Sequence, residues 1–287
     1  RSALGVLDRG PRSMHPDKKQ KAMQITASQK SQFDELGYAV LPDALDVDLL
    51  QMLREECAYF VGYIDGSMKA RGREVYGITH RGKRYFIANR YRQSSRLPDF
   101  LYGEVMASVS SAFLGDTVYL FNEQWVVKGP QQGMKFAWHQ DSGYVNFRDP
   151  DNVHAPYLTC WVALDDMSED NGTIFVLPHD RGQSRNRVFS HRSEPVSNDL
   201  IGYEGDDPGE LIEVNAGSIV VFSSTSLHRS TANSTPYSRR AYLAQYSKEV
   251  IHHSDGSMWA QAVPFIKNGR NIYNRHKDMA EASTEKL

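Results

Sequence analysis

The sequence predicts a mainly β fold, a sandwich or barrel of short strands with helices packed on its outside. Three observations predict it. From residue 117 onward, short runs rich in β-branched and aromatic residues alternate with polar turns, as in folds built of many short strands. Apolar residues spaced three and four apart are confined to the first 114 residues, which places the helices on the flank. The chain has 287 residues, 40% hydrophobic and 24% charged. At about 150 residues per domain that length allows two domains, yet one large all-β domain also reaches it.

The elements follow in order. Residues 1–23 open with Arg-Ser-Ala and mix Gly, Pro and basic residues without periodicity or a signal-peptide apolar core. They are expected to be a disordered extension or a cloning remnant, with Met14 and Met23 as alternative starts. Residues 24–287 are expected to form one domain. Thr26 or Ser28 caps a helix that runs to Leu36 and ends at Gly37. Tyr38–Leu41 is a strand, stopped by Pro42. A second helix starts near Asp46 or Asp48. Its Leu49, Leu50, Leu53, Cys57, Phe60, Val61 and Ile64 recur at helical spacing and bury one face. Residues 65–98 read as irregular and basic, and 99–114 as a third helix ended by Gly115.

The strands expected next are Val118–Lys128, Met134–His139, Tyr157–Leu164, Thr173–Leu177, Leu211–Val214, Ser218–Phe222 and Arg240–Ser247. Asp170-Asn171-Gly172 and Asn215-Ala216-Gly217 mark turns between them. The polar insertion at about 178–210 has little apolar periodicity and reads as a lid or surface loop.

Composition excludes several function classes. No run of about 18 apolar residues exists, so no transmembrane helix is expected. The net charge of −2 gives no reason to expect nucleic acid or an anionic membrane as partner. Two cysteines, Cys57 and Cys160, cannot build a disulfide framework or a cysteine-rich zinc site. A reducing, cytoplasmic location fits them.

The strongest local signal is Trp138-His139-Gln140-Asp141. In an extended chain, residues i and i+2 point the same way, so His139 and Asp141 can reach one metal ion. His228, in Ser226-Leu227-His228-Arg229-Ser230, follows a buried-strand pattern and is the best third ligand. Two His and one Asp on one face make the facial triad of non-haem Fe(II) oxygenases. Arg239, eleven residues after His228 and across the turn Asn233-Ser234-Thr235-Pro236, would place a guanidinium near the metal to hold a carboxylate bidentately.

Taken together, these pieces resemble the phytanoyl-CoA dioxygenase family of Fe(II)/2-oxoglutarate oxygenases, over about residues 32–247. The resemblance is carried by Phe33 to Pro42, Trp138 to Asp141, Trp161 to Asp166, Asn171 to Pro178, Gly217-Ser218, His228-Arg229-Ser230 and Arg239, in that order and spacing. It implies a double-stranded β-helix, or jelly roll, and an enzyme using Fe(II), 2-oxoglutarate and molecular oxygen. It implies that His139, Asp141 and His228 hold iron and that Arg239 pairs with the far carboxylate of 2-oxoglutarate. By the same pattern Ser230 hydrogen-bonds that carboxylate and Trp161 lines the cosubstrate pocket. Asn122 and Gln124 share one face of strand 118–128, and either could contact the cosubstrate. The family pattern usually continues Leu-Pro with Gly-Ser-His, whereas this chain has Leu177-Pro178-His179-Asp180-Arg181-Gly182, so His179 is given no metal role. Asp141 argues for hydroxylation or desaturation, since Ala or Gly there would open a halide position.

The substrate is expected to be a small or medium, anionic organic molecule: a carboxylate, phosphonate, phosphate or acyl-CoA. Gly66–Arg96 holds nine basic residues against one acidic, Glu74, with aromatics interleaved, and the resemblance places this region near the pocket mouth. Arg90 and Arg92, as an i, i+2 pair on an extended chain, are the expected substrate-binding residues. The alternatives are a non-catalytic metal-binding jelly roll and a zinc hydrolase on the same ligands.

Overall fold

The computed structural model describes residues 22–131 and 133–284. The expected extension over residues 1–23 lies outside them, except for Ala22 and Met23. Met23 and Ile25 pack against the core. No helix among the described residues is long and apolar enough to cross a membrane.

Helix α1 spans Ala27–Leu36 and is capped by Thr26, whose side chain accepts from Gln29 N–H in a reciprocal capping box. Gly37 ends it in the left-handed region at φ 83°. A Cβ there would lie 2.4 Å from the His179 ring, so Gly37 is required by both backbone and neighbour. That contact gives His179 a packing role, and its Nδ1 lies 2.9 Å from Ser184 Oγ. Strand β1 is Tyr38–Leu41, and α2 is Val47–Ala70, capped by Asp46.

Two expectations are corrected here. Residues 65–98 are not irregular. Helix α2 continues to Ala70, and β2 (Val75–Tyr76), β3 (Thr79–His80) and β4 (Arg84–Ala88) then extend a sheet. Two-residue strands are too short to show a period. The single helix over 99–114 is instead α3 (Leu97–Leu101) and α4 (Glu104–Leu114), separated at Gly103, which is extended (φ −81°, ψ 175°) and caps α4.

The strands after this are β5 (Val118–Lys128), β6 (Phe136–His139), β7 (Leu158–Ala163) and β8 (Ile174–Leu177). Helix α5 (Asp141–Arg148) follows β6 directly. The insertion carries a short helix, α6 (His179–Gly182), and the hairpin β9 (Arg192–Ser193) and β10 (Leu200–Ile201). Then come β11 (Glu210–Leu211, shorter than the expected 211–214), β12 (Ile219–Ser223), β13 (Leu227–Ser230) and β14 (Arg239–Ser247). The chain closes with β15 (Val263–Lys267), β16 (Arg270–Asn271) and α7 (Arg275–Thr284).

The strands form a jelly roll of two main antiparallel sheets. One runs β1-β12-β7-β14-β5-β4-β3-β2, with β15 joined to the start of β5; the other runs β11-β8-β13-β6. Strand alternation divides the large sheet into two buried faces. Outward, Trp125, Cys160, Val162, Val221, Tyr242 and Ala244 pack under α2, α3 and α4. Inward, Val126, Trp161, Val220, Phe222, Ala241 and Leu243 meet Ile174 and Val176 of the small sheet. Both faces are covered, which is why β12 reads as an unbroken apolar run.

Candidate active site

The site lies between the two sheets. Strands β6 and β13 pair antiparallel with His139 directly opposite His228. Asp141 is not on an extended chain as expected. It is the first residue of α5, separated from the end of β6 by Gln140 alone. The turn into that helix still brings its carboxylate back: the candidate ligand atoms of His139, Asp141 and His228 all lie within 4.8 Å of one another. Asp141 Oδ1 is 3.9 Å from His139 Nε2 and 3.7 Å from His228 Nε2. All three side chains are buried.

Their outer atoms are held in place. His139 Nδ1 lies 2.8 Å from Ala137 O, and His228 Nδ1 lies 3.1 Å from Ser226 O. Each ring therefore donates Nδ1–H to a carbonyl and turns its Nε2 lone pair to the site. Burial, and then His228 beside it, push the His139 imidazole well below its ordinary value, which favours the neutral ligand form. Asp141 Oδ2 accepts from Thr159 Oγ1 at 2.6 Å and from Gln245 Nε2 at 2.9 Å. Asn122 Nδ2 in turn donates to Gln245 Oε1 at 2.9 Å. Oδ1 remains for an ion. Two neutral imidazoles and one carboxylate, with outer hydrogen bonds fixing each, suit Fe(II) in a facial arrangement.

The three residues open onto a cavity of about 800 Å³, which Asn122, Gln124, Trp161, Ser230 and Arg239 also line. Strand alternation turns Arg239 inward. Its neighbour Arg240 points outward and ion-pairs with Asp165, the Nε–Oδ2 distance being 3.0 Å. The Arg239 guanidinium lies 5.8 Å from the Trp161 ring and donates to Gly172 O at 2.9 Å. Burial pulls it down to about 10.

Lys128, which the sequence reading missed, sits directly opposite Arg239 across β5 and β14 and lines the same cavity. It donates to Thr231 O. Burial, then Arg239 and Arg84, lower its ammonium well below the ordinary lysine value. Neither Lys128 nor Arg239 forms a direct ion pair among the described residues, so two buried basic side chains share one end of the cavity, with the charge of Asp199 acting on Lys128. Strand pairing alone creates this arrangement. Lys128 and Arg239 are 111 positions apart, and a lysine ending an amphipathic strand carries no signal of its own.

The basic segment is the main correction. Arg90 and Arg92 flank Tyr91 in a 3-10 turn, Tyr91–Gln93, not an extended run, and neither lines the cavity. Arg92 ion-pairs with Asp278 of α7 at 2.6 Å, and the backbone N–H groups of Arg90 and Tyr91 bond to Glu123. The neighbouring cations are also paired: Arg81 with Glu74, Arg84 with Asp199, and Arg96 with Glu55 and Glu56. Arg92→Ala would leave the buried Asp278 carboxylate without its cation. It is expected to cost about 1–3 kcal/mol of stability, read as a lower denaturation midpoint, and to leave substrate affinity unchanged.

The insertion is anchored to the His-X-Asp segment rather than lying loose. Gln140 donates to Arg187 O at 2.7 Å and accepts from Phe189 N at 2.7 Å. The N–H of Gln140 donates to His191 Nε2 at 3.0 Å, and Ser193, Asn198 and Leu200 of the insertion line the cavity.

Comparison with known proteins agrees with this geometry. A family model described as phytanoyl-CoA dioxygenase matches residues 33–241. A phytanoyl-CoA dioxygenase of Arabidopsis thaliana is 28% identical over 57% of this chain and 54% of its own. A 2-aminoethylphosphonate dioxygenase from an uncultured bacterium is 24% identical over 78% of this chain and 82% of its own. The chain spans about half the length of several of the curated relatives it matches. Among solved structures, the non-heme alpha ketoglutarate dependent carbocyclase SnoK from nogalamycin biosynthesis superposes with a TM-score of 0.63. It is 17% identical over 83% of this chain and 94% of its own, a likeness of fold.

Proposed function

The chain belongs to the phytanoyl-CoA dioxygenase family, and from that premise we propose that it is an Fe(II)/2-oxoglutarate-dependent dioxygenase that hydroxylates an unactivated C–H bond of an organic substrate. The observation that carries the reading is the pairing, on one cavity, of a His-Asp-His facial set with two buried basic side chains that make no direct ion pair.

His139, Asp141 and His228 would hold Fe(II), which when bound would supply the chemistry that couples oxidative decarboxylation of 2-oxoglutarate by molecular oxygen to oxidation of a substrate C–H bond. The chain's own residues hold and orient. His139 and His228 present Nε2, and Asp141 presents Oδ1. Thr159 and Gln245 keep the carboxylate from rotating. Arg239 and Lys128 grip the far carboxylate of 2-oxoglutarate, aided by Ser230, and so set its orientation. Trp161 walls the cosubstrate. Gln124 suits the remaining contact better than Asn122, which is committed to Gln245. The apolar inner faces of the two sheets exclude water.

A non-catalytic metal-binding jelly roll has no use for the cation pair. A zinc hydrolase has no use for the inward Arg239, and Asp141, the only carboxylate among the described residues lining the cavity, is already committed as a ligand. Buried, unpaired Cys57 and Cys160 suit a reducing, cytoplasmic compartment. The expectation of an anionic substrate loses its support from Arg90 and Arg92 and rests on one cation at the rim, Arg148. Iron content together with 2-oxoglutarate-dependent succinate release tests the reading; zinc in place of iron, or no succinate, would overturn it. Gln245→Ala is expected to weaken iron binding 10–100-fold in a chelator competition, because one donor to Asp141 Oδ2 is lost. Unchanged affinity would show that Gln245 does not position the ligand.

A further inference from the structure

We propose that the outer half of the cavity takes a planar, aryl-bearing organic molecule with at most one acidic group, held among Tyr76, Phe147 and Trp259, rather than a small doubly charged anion. The inference rests on reading the inner half as the metal and cosubstrate site.

Size is the first argument. A cavity of about 800 Å³ lies high in the roughly 300–1,000 Å³ range of pockets that enclose drug-sized ligands. A short diacid such as 2-oxoglutarate occupies only the end beside Lys128 and Arg239. A phosphonate of a few atoms would leave most of the remainder filled with water.

The lining is the second. Three aromatic side chains from separate elements line the cavity: Tyr76 of β2, Phe147 near the end of α5, and Trp259 from the segment between β14 and β15, the last packed against the cluster of Phe121 and Tyr157 and 4.2 Å from the His253 ring. Tyr76 is 67% exposed and Phe147 47%. Large rings left in water around one opening mark a binding surface more than a packing need, and aromatic faces favour planar partners. Deeper in, Phe121 and Tyr157 pack at 4.7 Å and line the same cavity.

Charge is the third. Apart from Lys128 and Arg239, the cavity has two lining arginines. Arg229 lies 3.9 Å over the Phe175 ring and donates to Pro208 O. Arg148 is exposed on the last turn of α5. His253 is drawn to Asp149, with 3.4 Å between Nδ1 and Oδ2. A doubly charged anion would find no paired cations in the outer half, whereas a single carboxylate at the edge of an aryl group could reach Arg148.

The test uses the protein loaded with Fe(II) and 2-oxoglutarate under nitrogen, with equilibrium dialysis of 1-pyrenebutanol and 1-pyrenebutyrate, and with 2-aminoethylphosphonate and dodecanoate as competitors. Both pyrene probes are expected to bind saturably. Phe147→Ala and Trp259→Ala should each weaken them at least several-fold, and Arg148→Ala should weaken the butyrate but not the butanol. Absence of saturable binding, indifference to both rim substitutions, or half-displacement of the probes by 2-aminoethylphosphonate or dodecanoate at a concentration below the dissociation constant of pyrenebutanol would overturn the proposal. The visible absorption of the iron–2-oxoglutarate complex separates the two levels. If it forms while the pyrene probes fail, only the substrate class falls; if it never forms, the inner-half reading falls and this inference with it.

Discussion

His139→Ala and Asp141→Ala are each expected to reduce 2-oxoglutarate-dependent succinate release to background and to lower iron occupancy. The loss should exceed the roughly 10–100-fold that follows removal of an outer-shell contact, because a metal bond itself is lost from a set of only three. The two variants should differ in stability. His139→Ala removes a buried ring with one hydrogen bond to its own strand. Asp141→Ala strips the acceptor from Thr159 and Gln245 and leaves buried donors unpaired, at about 1–3 kcal/mol. Asp141→Asn keeps an oxygen for them but removes the charge. It should therefore fold like the parent, as judged by thermal denaturation, and still lose iron. Full activity in His139→Ala would remove the iron assignment.

Arg239→Ala is expected to raise the 2-oxoglutarate concentration needed for half-maximal turnover by roughly thirtyfold to several thousandfold, the equivalent of about 2–5 kcal/mol for breaking a buried charged pair. Arg240→Ala should leave it nearly unchanged, because that side chain faces away from the cavity toward Asp165. Lys128→Met gives a second, opposite readout. It removes a buried amine that makes no direct ion pair and whose charged form burial and the neighbouring Arg239 and Arg84 already disfavour, and burying such a group is costly. The denaturation midpoint without 2-oxoglutarate should rise while affinity for 2-oxoglutarate falls. A lower midpoint, or unchanged affinity, would show that Lys128 does not share the anion with Arg239. A larger effect from Arg240→Ala than from Arg239→Ala would refute the register of β14.

Much of the site was legible because its signals are local. The capping of α1 by Thr26, its end at Gly37 and the span of β1 follow from turn and cap chemistry within a few residues. The strands β5, β7, β12 and β14 lie within two residues of their expected limits, since period-two patterning and flanking turns are short-range. His139 and Asp141 stand in one tripeptide. Inward-facing Arg239 and outward-facing Arg240 follow from alternation along a strand. Even the mistaken premise that Asp141 continues an extended chain did no harm, because the turn into α5 directs its carboxylate back toward His139.

What the sequence determined by itself, then, is a mainly β class, the His139-X-Asp141 pair and the orientation of Arg239, each set by residues near one another in the chain, while the jelly roll and His228 as third ligand came from the order and spacing of motifs over residues 32–247. What only the tertiary structure decided is the balance of charge. Nine basic residues against one acidic in Gly66–Arg96 looked like an anion-binding mouth, yet Asp199, Asp278, Glu55 and Glu56 arrive from outside that window to pair with Arg84, Arg92 and Arg96. Lys128, unremarkable at the end of its strand, faces Arg239 only once β5 and β14 are side by side. Charge interactions fall off with distance in space and take no account of separation along the chain, so a local tally of charges cannot tell a paired cation from one that awaits a ligand.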